Sequence, residues 1–406
     1  MKILFVINTL GRAGAETALL ELLRELEHTE YEISLYVMLG QGELIDQLPK
    51  KVKLLNHHYH PSSVLTSRGR AILGKTVLAS FFRNGHLVRK AGVFLANARE
   101  MKKTKNIQLD KLCWRIVSDG STALTETYDL AVAYLEGAAT YFVADHVKAV
   151  KKAAFLHVDY GKAGYTRELD QGCYRVYDRI FAVSKEVQDA FLDMYPEYKH
   201  KMRIFHNLIN QERIRTLAKE KGGFSDNFSG YRILTVGRLT FQKSLDLAIP
   251  ALNILKKEGC NVRWYVLGEG DQRAALEKQI AALKLTDDFI LLGSSDNPYP
   301  YYVQCDLYVH ATRYEGKSIA VQEAQTLGCA ILASDCSGNR EQIIDGIDGR
   351  FCLLTPEGIA SGIQDLLYDK AQRERLGKAA AQRTFDSGEE LLQLLELLDS
   401  SGRSRE

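Results

Sequence analysis

The 406-residue chain lacks the features that mark several protein classes. Its seven cysteines form no Cys-x-x-Cys pair, and their number is odd and their spacing wide. That excludes a disulfide framework and a zinc ribbon and leaves scattered reduced thiols. Seven prolines exclude a linker-rich or collagen-like chain. No apolar run approaches the roughly 20 residues of a membrane-spanning helix. The run Ile3–Ile7 is broken by Asn8 and Gly11 and is too short for a secretory signal, so a cytoplasmic location is expected. A net charge of +2 offers no global field for nucleic acid, which is not expected as a partner.

What is present is a globular composition, in a chain longer than one core of about 250–300 residues sustains. Short apolar runs alternate with helical patterns. Strands are expected at Lys2–Ile7, Ile33–Met38, Leu130–Tyr134, Ala153–Leu156 and Arg179–Val183. They return at Arg232–Val236, Val262–Leu267, Phe289–Leu292, Leu307–His310 and Ala330–Ala333. Helices such as Glu16–Leu26 and Leu245–Lys257 lie between them. Several of these strands are apolar throughout, as for parallel strands covered on both faces. The pattern predicts an α/β chain of two doubly wound, Rossmann-like domains, residues 1–205 and 206–382, followed by a helical segment, 383–406. Ligands are then expected beyond the carboxyl ends of the strands, in a cleft that the two domains face.

One segment breaks the regularity. Residues 61–118 hold twelve Lys or Arg against Glu100 and Asp110, a local +10. Leu73, Val77, Leu78, Phe81 and Phe82 share one helical face, and Leu87, Ala91, Phe94, Ala98 and Met101 share another after Gly85. Such a segment is either a helical hairpin with a solvated basic face or an element that touches an anionic membrane surface.

Five clusters bear on chemistry. Asn8 to Thr17 follows a strand and opens a helix, and Gly11 and Gly14 permit close approach of backbone to a phosphate. An ordinary turn fits equally. Leu267-Gly268-Glu269-Gly270-Asp271 lacks the third glycine of a dinucleotide loop and reads as a structural turn. After the strand ending at Val236, Arg238 and Lys243 stand before a helix, an arrangement that suits a diphosphate or simply two surface cations. Glu315 and Glu323 are eight apart around a helix start, which would let them meet an elongated ligand such as a sugar at two points, but as a bare spacing the pair is common and reads first as two ordinary carboxylates. His157 follows a strand end in the first half, where a cleft is expected, and reads equally as a structural histidine or one that meets a ligand.

Taken together, Gly14-Ala15-Glu16, Gly237-Arg238-Leu239 with Lys243, Glu315 through Glu323, and Gly338-Asn339-Arg340-Glu341 resemble the retaining glycosyltransferases of family four, which have the GT-B fold. These include enzymes of bacterial capsule and exopolysaccharide synthesis. The resemblance implies that Arg238 and Lys243 hold a donor diphosphate and that Glu323 accepts from the nucleotide ribose. It implies that Glu315 contacts donor-sugar hydroxyls, with the amides of Lys317, Ser318 and Ile319 nearby. His157 would stand near the transferring sugar, and Gly11 and Gly14 would line the phosphate side. Glu389–Leu398 would be the helix that crosses back to the first domain. Ala13, Lys317 and Ser318 depart from the usual residues, and Ser244 replaces the usual glycine, which reads as a helix cap. No Asp-x-Asp pair is present, so no metal is expected.

The expected activity is transfer of a hexose or N-acetylhexosamine from a nucleotide sugar, a UDP-sugar, to a glycan or lipid-linked glycan in surface-polysaccharide synthesis. The protein would be cytoplasmic, or peripheral on the inner face of the membrane through residues 61–118. Two alternatives are a nucleotide-sugar-binding accessory subunit without turnover and a GT-B nucleotide-sugar epimerase.

Overall fold

The computed structural model describes residues 1–64, 66–83, 87–103, 109–385 and 388–402. Gly85, at the expected break between basic helices, and Lys105 lie outside the described residues. The chain divides into two units, Met1–Leu208 with the C-terminal segment, and Ile209–Asp386.

The first unit holds β1 (Lys2–Ile7), β2 (Glu32–Val37), β3 (Lys53–Leu54), β4 (Thr127–Ala133), β5 (Lys148–Leu156), β6 (Arg179–Ala182) and β7 (Met202–Ile204). They form one parallel sheet in the order β3-β2-β1-β4-β5-β6-β7. The second unit holds β8 (Tyr231–Val236), β9 (Val262–Leu267), β10 (Phe289–Gly293), β11 (Leu307–His310), β12 (Ile331–Ser334) and β13 (Arg350–Cys352), in the parallel order β10-β9-β8-β11-β12-β13. Ile3 to Ile7 of β1 are fully buried, because helices cover both faces of a central parallel strand. In each sheet the strand order reverses at one point, between β1 and β4 and between β8 and β11. Those are the switch points where doubly wound sheets open a crevice.

β5 begins at Lys148, five residues before the apolar run. Its first half is lysine-rich and partly exposed, so apolar pattern alone misses it. The helix Gly388–Gly402 packs against β4 and β5 of the first unit.

The basic segment folds as three helices, Ser67–Phe82, Leu87–Lys103 and Leu109–Gly120. The face assigned from spacing is split. Leu73 and Val77 pack against the core, but Leu78 and Phe82 are 60% and 63% exposed. Two of the counted cations are not on the surface. Lys90 is buried and donates to the carbonyls of Ser80 (2.8 Å), Phe81 (3.3 Å) and Arg83 (2.6 Å), filling the vacant acceptors at the end of the Ser67–Phe82 helix. Arg115 is also buried. It donates to Leu169 O at 2.9 Å, to Asp170 O and to Asp145 Oδ2 at 2.6 Å, and covers the Tyr141 ring. Beside it, Asp170 accepts the hydroxyls of Tyr141 (2.8 Å), Tyr160 (2.7 Å) and Tyr195 (2.6 Å). Burial pushes Asp170 up to about 6, although the three tyrosines and Arg115 oppose it. No helix among the described residues is long and apolar enough to cross a membrane.

Candidate functional site

In the second unit, the loops leaving β8 and β11 meet at the switch point. Lys243 Nζ donates to Glu315 Oε2, and His310 Nε2, at the end of β11, stands 3.3 Å from the same oxygen. Burial acts to raise Glu315, but the Lys243 charge and His310 outweigh it and hold the carboxyl at about 2. His310 is itself buried, and burial followed by the Lys243 charge lowers it, so the imidazole is neutral at pH 7. Sequence reasoning passed over His310. The only signal for it was a histidine at the last position of a predicted strand.

Further contacts tie the two loops together. Thr312 Oγ1 lies 3.0 Å from both Gln242 O, across the loops, and Tyr314 O, within its own, and shares its one O–H between them; Gln242 Nε2 donates to Tyr314 O at 2.9 Å. Arg313 grips Asp246 through both terminal nitrogens, at 2.9 and 2.7 Å, and lies over the Phe241 ring. Gly338 admits the next loop: a Cβ there would stand 2.0 Å from Glu315 O. Gly268 and Gly270 do the same for the turn after β9, where a Cβ would stand 1.9 Å from Gly237 O and 2.1 Å from Leu239 O respectively. Against this packed frame Arg238 is exposed, and its side chain has no partner among the described residues.

Ser244 precedes the helix Leu245–Lys257, but its side chain makes no capping bond. It is left-handed, with φ at 50°. The position demands a conformation that glycine adopts freely, which overturns the reading of Ser244 as a cap.

Glu323 lies inside the helix Ile319–Thr326 and is 7% exposed. Its two oxygens accept the hydroxyls of Tyr299 (3.2 Å) and Tyr302 (3.0 Å). The Ser318 amide is committed to Gln342 Oε1 at 2.7 Å, and Gln342 Nε2 returns a bond to Ser318 O at 2.9 Å. Of the amides at Lys317, Ser318 and Ile319, the middle one is therefore not open to a ligand, and Gln342 sets where this helix starts.

In the first unit, the loop with Gly11 and Gly14 leaves β1 and opens the helix Gly14–Glu27. Asn8 anchors it, donating to Glu136 O (2.7 Å) and accepting from Ala139 N (2.8 Å). Carboxylates lie close by. Thr9 Oγ1 donates to Glu16 at 3.0 Å, and Glu43 Oε2 is 3.5 Å from where a Cβ on Gly11 would stand. His157 leaves β5. Its backbone N–H and that of Val158 (3.0 Å) both donate to Glu136 Oε1, a buried carboxylate that burial raises above its ordinary range. Burial lowers His157 to about 4, so it too is neutral at pH 7. Its Nε2 is enclosed and has no hydrogen-bond partner among the described residues. Glu136 was not a sequence candidate. It lies three residues past β4, with no motif around it.

No cluster of three or more His, Cys, Asp or Glu with metal-binding geometry occurs among the described residues.

Residues 223–383 match a family described as glycosyl transferases group 1. A Campylobacter jejuni protein named N-acetylgalactosamine-N,N'-diacetylbacillosaminyl-diphospho-undecaprenol 4-alpha-N-acetylgalactosaminyltransferase is 30% identical over 212 residues, 52% of this chain and 56% of that protein. The amylovoran biosynthesis glycosyltransferase AmsK of Erwinia amylovora is 30% identical over 183 residues, 41% of this chain and 44% of that protein. The chain spans about half the length of the curated relatives it matches. The crystal structure of Anabaena Alr3699/HepE in complex with UDP and glucose superimposes with a TM-score of 0.66 at 18% identity, covering 98% of this chain and 100% of that one. Two Rossmann-like units, the second containing the segment that matches the group 1 glycosyl transferases, give this chain the GT-B fold.

Proposed function

We propose that the chain is a retaining glycosyltransferase that moves a hexose or N-acetylhexosamine from a UDP-sugar to a glycan or lipid-linked glycan acceptor in surface-polysaccharide synthesis. The observation that carries this reading is the Lys243–Glu315 pair at the β8/β11 switch point, beside the exposed and unpartnered Arg238. Arg238 grips the donor diphosphate. Lys243, already oriented by Glu315, turns its remaining N–H donors to the same phosphates. Charge building on the leaving diphosphate is met by these two cations and by the start of the Ile319–Thr326 helix, so the reading requires no metal.

Glu315 stays ionised throughout the neutral range and accepts from donor-sugar hydroxyls. Glu323 accepts from the ribose in place of a tyrosine hydroxyl. His157, neutral and with an unpartnered Nε2, accepts from a hydroxyl of the transferring sugar, while Gly11 and Gly14 line the phosphate side. The acceptor oxygen attacks the anomeric carbon on the face the diphosphate leaves, and its proton passes to the departing phosphate oxygen. The protein works in the cytoplasm, at the inner face of the membrane through residues 61–118. The relatives support the donor and acceptor classes: the Campylobacter protein's name includes a diphospho-undecaprenol-linked sugar, and the Anabaena structure is a complex with UDP and glucose.

The test is incubation with UDP-, GDP- and ADP-sugars, with and without a lipid-linked glycan extract, following nucleotide release and the anomeric configuration of the product by NMR. Extract-dependent UDP release with retention is expected. Nucleotide binding without release from any donor replaces this reading with the accessory subunit, and an isomerised sugar still on its nucleotide replaces it with the epimerase.

A further inference from the structure

The helix Ser67–Phe82 carries an outward stripe at helical spacing: Arg68, Ala71, Lys75, Leu78 and Phe82 are all exposed. The helix contains no Asp or Glu. Leu78 and Phe82, one turn apart, place apolar surface beside the cations of the same stripe. The helix is firmly seated, so the exposure is a property of the fold. Thr66 caps its start by accepting from Gly69 N at 3.0 Å, Gln41 Nε2 donates to Gly69 O at 3.2 Å, and buried Lys90 closes its other end. Leu73 and Val77 fill the core side.

Beside the stripe is a cavity of about 340 Å³ whose lining includes His60, Lys75, Thr76 and Arg83. Two cations, a hydroxyl and an imidazole on one concave wall suit a phosphate, and that volume falls in the range of small-ligand sites. Arg83 spends one N–H on Gly120 O at 3.4 Å and keeps its others. The apolar pair and the cationic cavity sit at the same end of the helix, because 75, 78, 79 and 82 occupy its last two turns and Arg83 follows directly.

We propose that this end of the Ser67–Phe82 helix docks on an anionic bilayer, with a lipid phosphate in the Lys75–Arg83 cavity and Leu78 and Phe82 entering the acyl boundary. The inference deepens the membrane part of the proposed function and rests on that reading. It narrows a segment of twelve cations to a few residues and removes Lys90 and Arg115, which serve the fold. Charge selects the occupant: an acid-free helix with a basic cavity complements anionic headgroups, and the exposed apolar pair gives it a preference that a free nucleic-acid backbone does not satisfy.

The experiment is flotation of the full chain with vesicles of phosphatidylcholine alone and of phosphatidylcholine with phosphatidylglycerol, at low and high salt. Binding only to the anionic vesicles, weakened by salt, is expected. Lys75→Gln with Arg83→Gln should weaken the partition about 30-fold, each surface cation being worth about fivefold. Leu78→Ser with Phe82→Ser should weaken it at least tenfold. All four side chains are exposed, so thermal unfolding should be unchanged in both variants. Equal binding to neutral vesicles, binding to RNA but not to vesicles, or an unchanged partition for the Leu78/Phe82 variant overturns the proposal. So does saturable binding of inorganic phosphate, read by calorimetry and lost in the Lys75/Arg83 variant, with no binding to anionic vesicles, which would make the cavity a site for the free ion. UDP release from donor sugar in the presence of the lipid-linked glycan extract, measured on the same protein without vesicles, reports on the transferase reading separately. Release intact with no vesicle binding ends the docking proposal alone, and vesicle binding without release ends the transferase reading alone.

Discussion

Substituting Lys243 tests the central pair, and stability should report it before activity does. Burial drives the Glu315 carboxyl upward, yet the Lys243 charge and His310 hold it at about 2, against an ordinary 4.5. At roughly 1.4 kcal/mol per pH unit, that gap is worth about 3 kcal/mol. Lys243→Ala removes the main opposing charge and strands a carboxylate in a site only 14% exposed. Breaking a buried pair in this way costs about 3–5 kcal/mol. In a unit of this size, 3 kcal/mol lowers the melting temperature by about 6–12 °C. Lys243→Ala combined with Glu315→Gln removes the stranded charge and should recover at least about 1.5 kcal/mol. The sign with pH follows from the depressed carboxyl: the Glu315 contribution is complete above its ordinary value of 4.5 and is lost as pH falls toward 2. The advantage of wild type over Glu315→Gln should therefore shrink across that window. Thermal unfolding followed by circular dichroism at neutral and acid pH reads all four proteins. A Lys243→Ala protein that melts with wild type, or a double variant no more stable than Lys243→Ala, refutes the argument.

Arg238→Ala should leave stability within about 0.5 kcal/mol, since the side chain is exposed and unpartnered. It should weaken UDP binding at least tenfold by calorimetry, the worth of about one charge-assisted bond; unchanged affinity would remove Arg238 from the diphosphate. Ser244→Gly relieves a left-handed residue worth roughly 1–2 kcal/mol, partly offset by glycine's chain entropy of roughly 0.5–1 kcal/mol. A small rise in melting temperature is expected, and a fall would show that the serine side chain matters after all. Lys90→Met leaves three helix-end carbonyls without their donor and should cost about 2–3 kcal/mol in urea unfolding, whereas Lys75→Gln on the exposed stripe should cost less than about 0.5 kcal/mol. Equal costs would mean that Lys90 is an ordinary surface cation.

The parallel architecture was legible because continuous apolar runs such as Ile3–Ile7 and Val262–Leu267 have few other uses. Arg238, Lys243, Glu315 and Glu323 were legible as candidates because each lies within a short stretch after a strand, where spacing along the chain stands in for spacing in the fold. Glu136 carries no such local signature, since only the pairing of β4 with β5 brings it beside His157; His310 is five residues before Glu315, but as the last residue of a strand it reads as core. The Asp170 network is further out of reach. Its members Arg115, Tyr141, Tyr160 and Tyr195 are spread over eighty residues, and each alone reads as unremarkable. Charge counting failed at Lys90 and Arg115 for a related reason: it sees formal charge but not the carbonyls that absorb it. Ser244 misled because serine before a helix is usually a cap, and composition does not report the sign of φ.

The bonds that join the loops after β8 and β11 have a thermodynamic consequence for whatever binds there. Thr312, Arg313, Gln242 and Lys243 fasten two segments some seventy residues apart into one wall before any ligand arrives. On the proposed reading, a diphosphate meets a surface whose ordering is already complete and must immobilise little more than the Arg238 side chain. Affinity at this wall is then governed by what the ligand offers the wall, and a poor ligand cannot be rescued by the loops closing around it.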